Sequence, residues 1–367
     1  MRNYFALLTG KLTRLISRLF SLGAGGTWPG EIALFISPNL LLYFFKQIKE
    51  GTIIVAGTNG KTTTSLMISA ILEKKGKRVV HNTTGANLLN GIASAFIQKA
   101  NWIGKIEADW GVFETDENSL PRILSEFKIQ SASRRTKFKI IIILLNLFRD
   151  QLDRYGEVDV IAEKWQKAMW SLDQNAILIL NADDPQIAHL GKVLESKNTR
   201  EVIYFGINDK TKFLKYKEHA TDSTYCLNCG NRLQYEGIYF SHLGIWKCAK
   251  CSETRPEPDI DTWKSPLPGL YNLYNTLATV SMAKALNIDN KVISRALEDF
   301  RPAFGRQEEF LVDGKRVKIF LSKNPAGFNS SLRTVFEQNP QVLLLILNDR
   351  IPDGRDVSWI WDVDFET

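Results

Sequence analysis

The sequence predicts an α/β protein: a parallel sheet binding a nucleotide at its carboxyl edge, an inserted four-cysteine ribbon, and a smaller C-terminal α/β unit. Three observations predict it. A β-branched run, Ile53-Ile54-Val55, passes through a glycine-bearing turn into Lys61-Thr62 and a helical pattern. Short apolar strands then alternate with helical stretches as far as Leu180. Four cysteines come as two pairs, Cys226-x-x-Cys229 and Cys248-x-x-Cys251, with 18 residues between them.

The chemistry concentrates in Thr52-Ile-Ile-Val-Ala-Gly-Thr-Asn-Gly-Lys-Thr-Thr-Thr64. Strand, tight loop and helix in succession turn a Gly-Lys-Thr string into a phosphate-binding loop. Glycine lets the backbone approach phosphate oxygens, and the helix N-terminus offers unpaired N–H groups. Gly57, Thr58, Asn59, Gly60, Lys61, Thr62 and Thr63 are the candidate phosphate contacts. Lys61 supplies charge for the terminal phosphates, and Thr62 supplies the hydroxyl expected on Mg²⁺. Val55 stands where a full GxxxxGK would have its first glycine, so the loop is a shortened one. The bland alternative is a Gly-Lys turn before an ordinary helix. The strand before it, and Leu66, Met67, Ala70 and Ile71 on one helical face after it, speak against that.

Downstream, strands are predicted over 78–81, 111–114, 139–145 and 176–180, with a helix over 92–98. Such alternation argues for a parallel sheet. The 111–114 strand ends in Glu114, with Asp116 and Glu117 just beyond. Carboxylates past the carboxyl end of a strand, beside a phosphate loop, are placed to hold Mg²⁺ directly or through water. Glu114 is the leading candidate; favourable charge at a helix N-terminus is the competing account for all three. Ser131–Lys137 reads as a solvated basic loop, and Asn181-Ala-Asp-Asp-Pro185 as a strand-to-turn signal with Pro185 starting a helix.

The chain has 367 residues, 44% hydrophobic and 24% charged, as expected of two or three globular domains. Its net charge of +7 suits an anionic partner without choosing among nucleotide, lipid phosphate and nucleic acid. No apolar run approaches the ~20 residues of a membrane span. Leu7, Leu8, Leu12, Leu15, Ile16 and Leu19, with Lys11, Arg14 and Arg18, read as a basic amphipathic helix. Packing on its own domain is preferred there over a membrane surface. Residues 1–50 form a helical lead-in, broken by Pro38. Residues 51–300 form the nucleotide domain, interrupted at 220–257 and resumed by the helix over 270–286. Residues 301–367 form the C-terminal unit, with a strand over 317–321, a helix over 330–337 and a strand over 342–347. Because the chain stops at Thr367 before a further α/β unit could close, that unit is expected to be incomplete.

Two CxxC pairs at this separation have the spacing of a tetrahedral zinc site on two knuckles, with Cys226, Cys229, Cys248 and Cys251 as ligands. Two disulfides or free core thiols are the alternatives. A closed four-thiolate site has no open position, so its role is structural.

Gly57–Thr63 resembles the shortened nucleotide loop of the Mur ligases, which activate a carboxylate with ATP and join it to an amine. Other segments extend the likeness. Asn146-Leu-Phe-Arg-Asp-Gln151 is similar to a stretch in which the family has an Asp-His pair, with Gln151 here in place of the histidine. Gly269-Leu-Tyr-Asn-Leu-Tyr-Asn275 resembles the segment near the adenine base, with Tyr271 for the usual histidine and Asn272 and Asn275 retained. Phe304-Gly-Arg306 resembles the interdomain Gly-Arg, which makes Arg306 a candidate ribose or phosphate contact. The ribbon, Lys323-Asn-Pro-Ala-Gly327 and Asp353-Gly-Arg-Asp-Val-Ser-Trp359 match one branch of the family, the synthetase subunits that amidate lipid II. The resemblance implies a cytoplasmic ligase of peptidoglycan synthesis using ATP, Mg²⁺ and structural Zn²⁺. Its substrate is lipid II at the membrane surface, whose D-glutamate α-carboxyl becomes an amide, and its partner is a GatD-like glutaminase. It also implies that an aspartate of the 353–359 loop, Asp356 or else Asp353, completes the partner's Cys-His pair.

The sequence supports a partner independently. Ammonia is usually released from glutamine by a cysteine nucleophile, and all four cysteines here belong to the metal pattern. Two other functions compete. One is a peptide-forming Mur ligase that adds an amino acid, against which stand the ribbon and the 353–359 loop. The other is a nucleic-acid-binding ATPase, suggested by the basic charge and the ribbon. The ribbon is not rich in basic residues and no aromatic-basic nucleic-acid motif occurs, so nucleic acid is not the expected partner.

Overall fold

A computed structural model describes residues 1–20, 26–82, 86–131, 138–149, 158–172, 175–197, 201–216, 218–219, 221–303, 305–348 and 357–366. Its centre is a six-stranded, wholly parallel sheet in the order β2-β3-β1-β4-β5-β6. The strands are β1 (Gly51–Ala56), β2 (Val79–His81), β3 (Trp110–Thr115), β4 (Lys139–Leu144), β5 (Ile177–Asn181) and β6 (Val202–Phe205). β1 to β5 lie within two residues of the positions the apolar runs predict, whereas β6 was not foreseen.

β1 is buried along its whole length, and its side chains alternate between two cores as a two-residue period requires. Ile54 and Ala56 face one layer with α5 (Leu89–Lys99), α6 (Leu120–Ser131), α7 (Val158–Trp170) and α8 (Pro185–Lys197). The lead-in helices α1 (Arg2–Leu19), α2 (Trp28–Ile36) and α3 (Leu40–Phe45) close that side. Ile53 and Val55 face the other layer, made by α4 (Lys61–Lys74), α9 (Leu270–Ala285) and α10 (Asn290–Glu298). Since β1 sits between β3 and β4, its carboxyl end opens into the crevice between neighbouring strands that parallel sheets use for ligands.

α1 packs on its own domain, but through its small residues. Ala6, Leu7 and Gly10 are buried, whereas Leu12, Leu15, Ile16 and Leu19 are exposed. The expectation of a self-packed amphipathic helix is therefore met on one face only.

The cysteine segment forms a hairpin, β7 (Leu233–Phe240) and β8 (Leu243–Cys248). Tyr239, Phe240 and Leu243 at its turn enter the main core, and Trp246 and Leu233 pack with the cysteines against Ala188 of α8. Tyr225, beside Cys226, is exposed. The ribbon is also anchored by a buried network. Asp183 accepts from Arg255 Nε at 2.6 Å, from the Tyr274 hydroxyl at 2.6 Å and from Ile207 N at 2.9 Å.

The C-terminal unit departs most from expectation. It contains an antiparallel hairpin, β9 (Arg306–Val312) and β10 (Lys315–Phe320), and α11 (Pro325–Glu337). α11 begins five residues earlier than Ser330 because Asn324 caps it, its Oδ1 accepting from Gly327 N at 2.8 Å, and Pro325 occupies the first turn. No strand forms over 342–347, and that apolar run is exposed. A strand needs a neighbour for its backbone groups, and the described strands of this unit, β9 and β10, pair with each other.

His81, at the carboxyl end of β2, is partly buried with Nε2 3.0 Å from Ser65 Oγ, and desolvation pushes its pKa down to about 4. The unfolded chain therefore binds a proton between pH 6.5 and about 4 that the folded chain does not. Stability falls through that window on acidification, by about 3 kcal/mol from this group. Chemical denaturation of the protein and of His81→Gln at pH 7 and pH 4 should show the variant losing less stability on acidification by about that amount.

Candidate functional site

The loop between β1 and α4 turns on two glycines. Gly57 has φ +138° and Gly60 φ +89°, and a Cβ on Gly60 would lie 2.1 Å from Asn275 Oδ1. Neither conformation nor space admits a side chain. Asn146, just beyond β4, braces the loop from below: its Oδ1 accepts from Asn59 N at 2.8 Å and its Nδ2 donates to Asn59 O at 3.1 Å. Thr58 N donates to Asn146 O at 3.0 Å, and the Thr58 hydroxyl accepts from Phe148 N at 3.0 Å. Lys61 folds back over the turn, Nζ donating to Gly57 O at 2.5 Å and to Thr58 O at 2.9 Å.

Glu114 comes to this loop because β3 pairs with β1 in a register that sets it beside Val55. Asn82 fixes its backbone on both sides, Oδ1 accepting from Glu114 N at 3.0 Å and Nδ2 donating to Glu114 O at 2.9 Å. The Thr62 hydroxyl donates to Glu114 Oε2 at 2.6 Å. Glu114 Oε1 is buried and without a hydrogen-bond partner among the described residues. Glu117 Oε1 is in the same position, 3.9 Å from Lys61 Nζ. Two buried carboxylate oxygens lacking partners, beside a threonine hydroxyl, are hard oxygen donors that a Mg²⁺ would satisfy. These residues fit the ion that the sequence suggests.

Burial raises the Glu114 pKa; the Thr62 hydrogen bond and the charges of Lys61, Arg306 and Lys323 act the other way. Burial likewise draws Arg306 below the usual guanidinium range, with Glu114 opposing. Both thus lie in one desolvated pocket. Asp116 has a structural job, its Oδ1 accepting from Ser119 N at 2.9 Å where α6 begins.

Asn272 and Asn275 lie buried behind Gly60. Asn275 Nδ2 donates to Asn272 Oδ1 at 3.2 Å, and Asn272 Nδ2 to Pro268 O at 2.8 Å. They support the loop from α9. Asp150, Gln151, Phe304, Asp353 and Asp356 lie outside the described residues, as does most of the 131–137 segment.

One contact was not foreseen. Asn59 and Asn324 form a mutual amide pair, Asn59 Nδ2 donating to Asn324 Oδ1 at 3.2 Å and Asn324 Nδ2 to Asn59 Oδ1 at 3.0 Å. It joins the phosphate loop directly to the cap of α11. The signal lay in the Lys323-Asn-Pro motif, but nothing local to that motif names its partner 265 residues away. Asn146 lies in a stretch that resembles the family, but its bracing of Asn59 was not foreseen, nor was the clamp of Asn82 on Glu114.

The four cysteine sulfurs lie within 4.8 Å of one another, with Cys226–Cys251 and Cys229–Cys248 each 3.5 Å apart. Four thiolates about 2.3 Å from a zinc ion make edges of about 3.8 Å, so the cluster fits a tetrahedral ion. Backbone N–H groups of Cys251 and Lys250 help hold the Cys248 thiol down to about 6, whereas burial pushes Cys226 up to about 12.

A phosphate loop, a threonine and a buried carboxylate at the switch point of a parallel sheet define a nucleotide-binding α/β fold. The family model of the Mur ligase middle domain matches residues 55–283, and that of the MurT ligase C-terminal matches 321–367. The chain belongs to the Mur ligase family. It is 33% identical to the MurT subunit of lipid II isoglutaminyl synthase (glutamine-hydrolyzing) from Staphylococcus aureus strain COL, over 100% of this chain and 82% of that protein. It is 32% identical to the same subunit from Streptococcus pneumoniae, over 100% and 81%. These likenesses set it in the MurT branch. Among solved structures it resembles a pseudomurein peptide ligase type C from Methanothermus fervidus, with 25% identity and a TM-score of 0.62. That match covers 81% of this chain and 58% of the other. MurF from Acinetobacter baumannii shares the fold at a TM-score of 0.55, with 17% identity over 84% and 58%.

Glu114→Gln should weaken binding of magnesium ATP ten- to a hundredfold in calorimetric titration, with little change for nucleotide in EDTA. Because burial raises the Glu114 pKa, the ionised form is lost on acidification sooner than at an exposed glutamate. The magnesium-dependent part of the affinity should fall with it. Cys248→Ser should reduce metal content, measured by mass spectrometry, from about one zinc per chain toward none, and lower the thermal midpoint.

Proposed function

We propose that the chain is the synthetase subunit of a two-subunit amidotransferase that converts the D-glutamate α-carboxyl of lipid II to an amide. The whole-length likeness to the MurT subunits carries this reading. The nucleotide site supports the chemistry. Lys61 and the Gly57–Thr63 backbone hold and neutralise the ATP phosphates, while Asn272, Asn275 and Arg306 border the base and ribose. Thr62 and Glu114, with Glu117 beside Lys61, would hold Mg²⁺, which would offset the negative charge of the phosphates. The substrate carboxylate would attack the terminal phosphorus of ATP, releasing ADP, and ammonia would then displace phosphate from the acyl phosphate to leave the amide. Positioning and charge neutralisation supply the rate; no covalent enzyme intermediate is required.

The nitrogen comes from a glutaminase subunit, and the four cysteines here are gathered at the metal cluster. Asp356 is assigned to orient the partner's catalytic histidine, fixing its tautomer as an aspartate does in a triad; Asp353 is the second choice. The segment just beyond is pinned to α11: Asn329 Nδ2 donates to Asp364 Oδ2 at 2.7 Å, and Phe328 meets Trp359 at a centroid distance of 6.0 Å. The work is done at the inner membrane face. Among the described residues no helix is long and apolar enough to span a membrane, which agrees with a peripheral position.

With the glutaminase co-expressed, Asp356→Asn should lower glutamine-driven amidation at least a hundredfold, while ammonium-driven amidation persists within about twofold. Loss of both activities, or of neither, rejects the assignment. Failure of the unsubstituted complex to consume ATP with lipid II and ammonium rejects the function.

A further inference from the structure

α1 is built inside out for a helix that merely packs. Its inward face is mostly small: Ala6, Gly10 and Ser17 are buried along with Leu7, and a Cβ on Gly10 would lie 2.7 Å from Ile97 Cδ1 and 3.1 Å from Pro29 O. That close approach seats α1 against α2 and α5. The large apolar side chains are on the opposite face. Phe5, Leu12, Leu15, Ile16 and Leu19 recur at spacings of three and four, and at 100° per residue they centre roughly opposite Ala6 and Gly10. They are 62%, 55%, 52%, 42% and 71% exposed.

The charge around this stripe has one sign. Lys11, Arg14 and Arg18 run along one border, and no Asp or Glu occurs before Glu31. Lys11 Nζ lies over the Trp102 ring, 5.2 Å from its centroid, and donates to Ala100 O at 2.5 Å. This contact draws the loop after α5 to the same border, where Trp102 and Ile103 are also exposed. An apolar stripe edged by cations and an indole is the pattern of a helix lying in a bilayer interface, with aliphatic groups in the acyl boundary and cations at lipid phosphates.

We propose that the outer face of α1, with Trp102 and Ile103, docks the protein on an anionic phospholipid surface. Charge selects this occupant over a second copy of the chain, because a two-fold contact through the stripe would bring Arg14 and Arg18 against their own equivalents. As a device for presenting a lipid-borne carboxylate, it rests on the function proposed above. The surface itself is argued from α1 alone.

The test uses the whole chain, with no substrate or nucleotide, and vesicles of phosphatidylglycerol and phosphatidylcholine in equal parts or of phosphatidylcholine alone. Co-sedimentation should be strong with the anionic vesicles, weak with the neutral ones, and reduced by added salt. Leu12→Glu/Leu15→Glu should weaken the apparent partition about tenfold or more. Arg14→Glu/Arg18→Glu should weaken it and flatten the salt dependence. Both positions in the first variant are exposed, and unchanged circular dichroism and magnesium ATP affinity would show that the fold is kept. Absence of sedimentation with anionic vesicles overturns the proposal. So does retention by Leu12→Glu/Leu15→Glu, or the finding that this variant dissolves a dimer seen by sedimentation equilibrium. Loss of nucleotide binding with vesicle binding intact would instead strike only the proposed function.

Discussion

A buried carboxylate with one oxygen unpaired is the constraint to which the rest of the nucleotide site answers. Glu114 is removed from water at the end of a central strand, and removing a carboxylate from water is costly unless something compensates. The compensation is arranged from every side: the Thr62 hydroxyl, Asn82 clamping the backbone, and the positive charges of Lys61, Arg306 and Lys323. These groups reduce the penalty without satisfying Oε1. Oε1 thus remains a buried hard oxygen donor, held at the end of β3 between the phosphate loop and the C-terminal cations.

The charges that answer Glu114 do not all come from its own domain. Arg306 opens β9 and Lys323 stands just before α11, so the C-terminal unit supplies part of the field at the phosphate loop. The Asn59–Asn324 amide pair gives that long-range field a fixed geometry. Asn324 does three things at once, since its Oδ1 also caps α11 at Gly327 N. The helix start, the loop and the approach of two cations to a carboxylate are therefore one mechanical unit. Any change of loop shape when phosphates enter must be transmitted to α11, because the pair cannot keep both hydrogen bonds while Asn59 moves alone.

What was legible in the sequence follows from how local each signal is. The parallel sheet could be read because buried strands are short apolar runs, and the loop because glycine at positive φ leaves its mark in the chain itself. The ribbon was legible because metal geometry constrains spacing. The C-terminal unit was legible only in part: the strand over 317–321 and the helix over 330–337 fall on β10 and α11, and the rest does not. Val342–Leu347 has the composition of a strand, but strand formation depends on a neighbour, which composition cannot supply. α11 was placed late because its first turn is set by an Asn-Pro cap rather than by apolar periodicity. The roles of Asn82, Asn146 and Asn324 escaped for a related reason. Each acts through a backbone or amide far off in sequence, and asparagine at the end of a strand looks the same whether it braces a loop or merely ends one.

The ribbon shows how such distant constraints combine. A two-stranded hairpin is at best marginal alone, and four thiolates on a metal hold only its knuckle end. Its other end is held by the core, through Tyr239, Phe240 and Leu243. Between them Asp183, at the end of β5, takes Arg255 from the far side of the ribbon and Tyr274 from α9. Asp183 is wholly buried, and burial pushes its pKa up, while the Arg255 charge and the hydrogen bonds from Tyr274 and Ile207 act the other way. α9 also carries Asn272 and Asn275 behind Gly60. The same helix therefore meets the metal ribbon's anchor at Tyr274 and the phosphate loop's backing one residue later. Loosening the ribbon would relax the wall against which Gly60 turns, so the cysteine cluster is tied to the loop between β1 and α4 through packing on one helix.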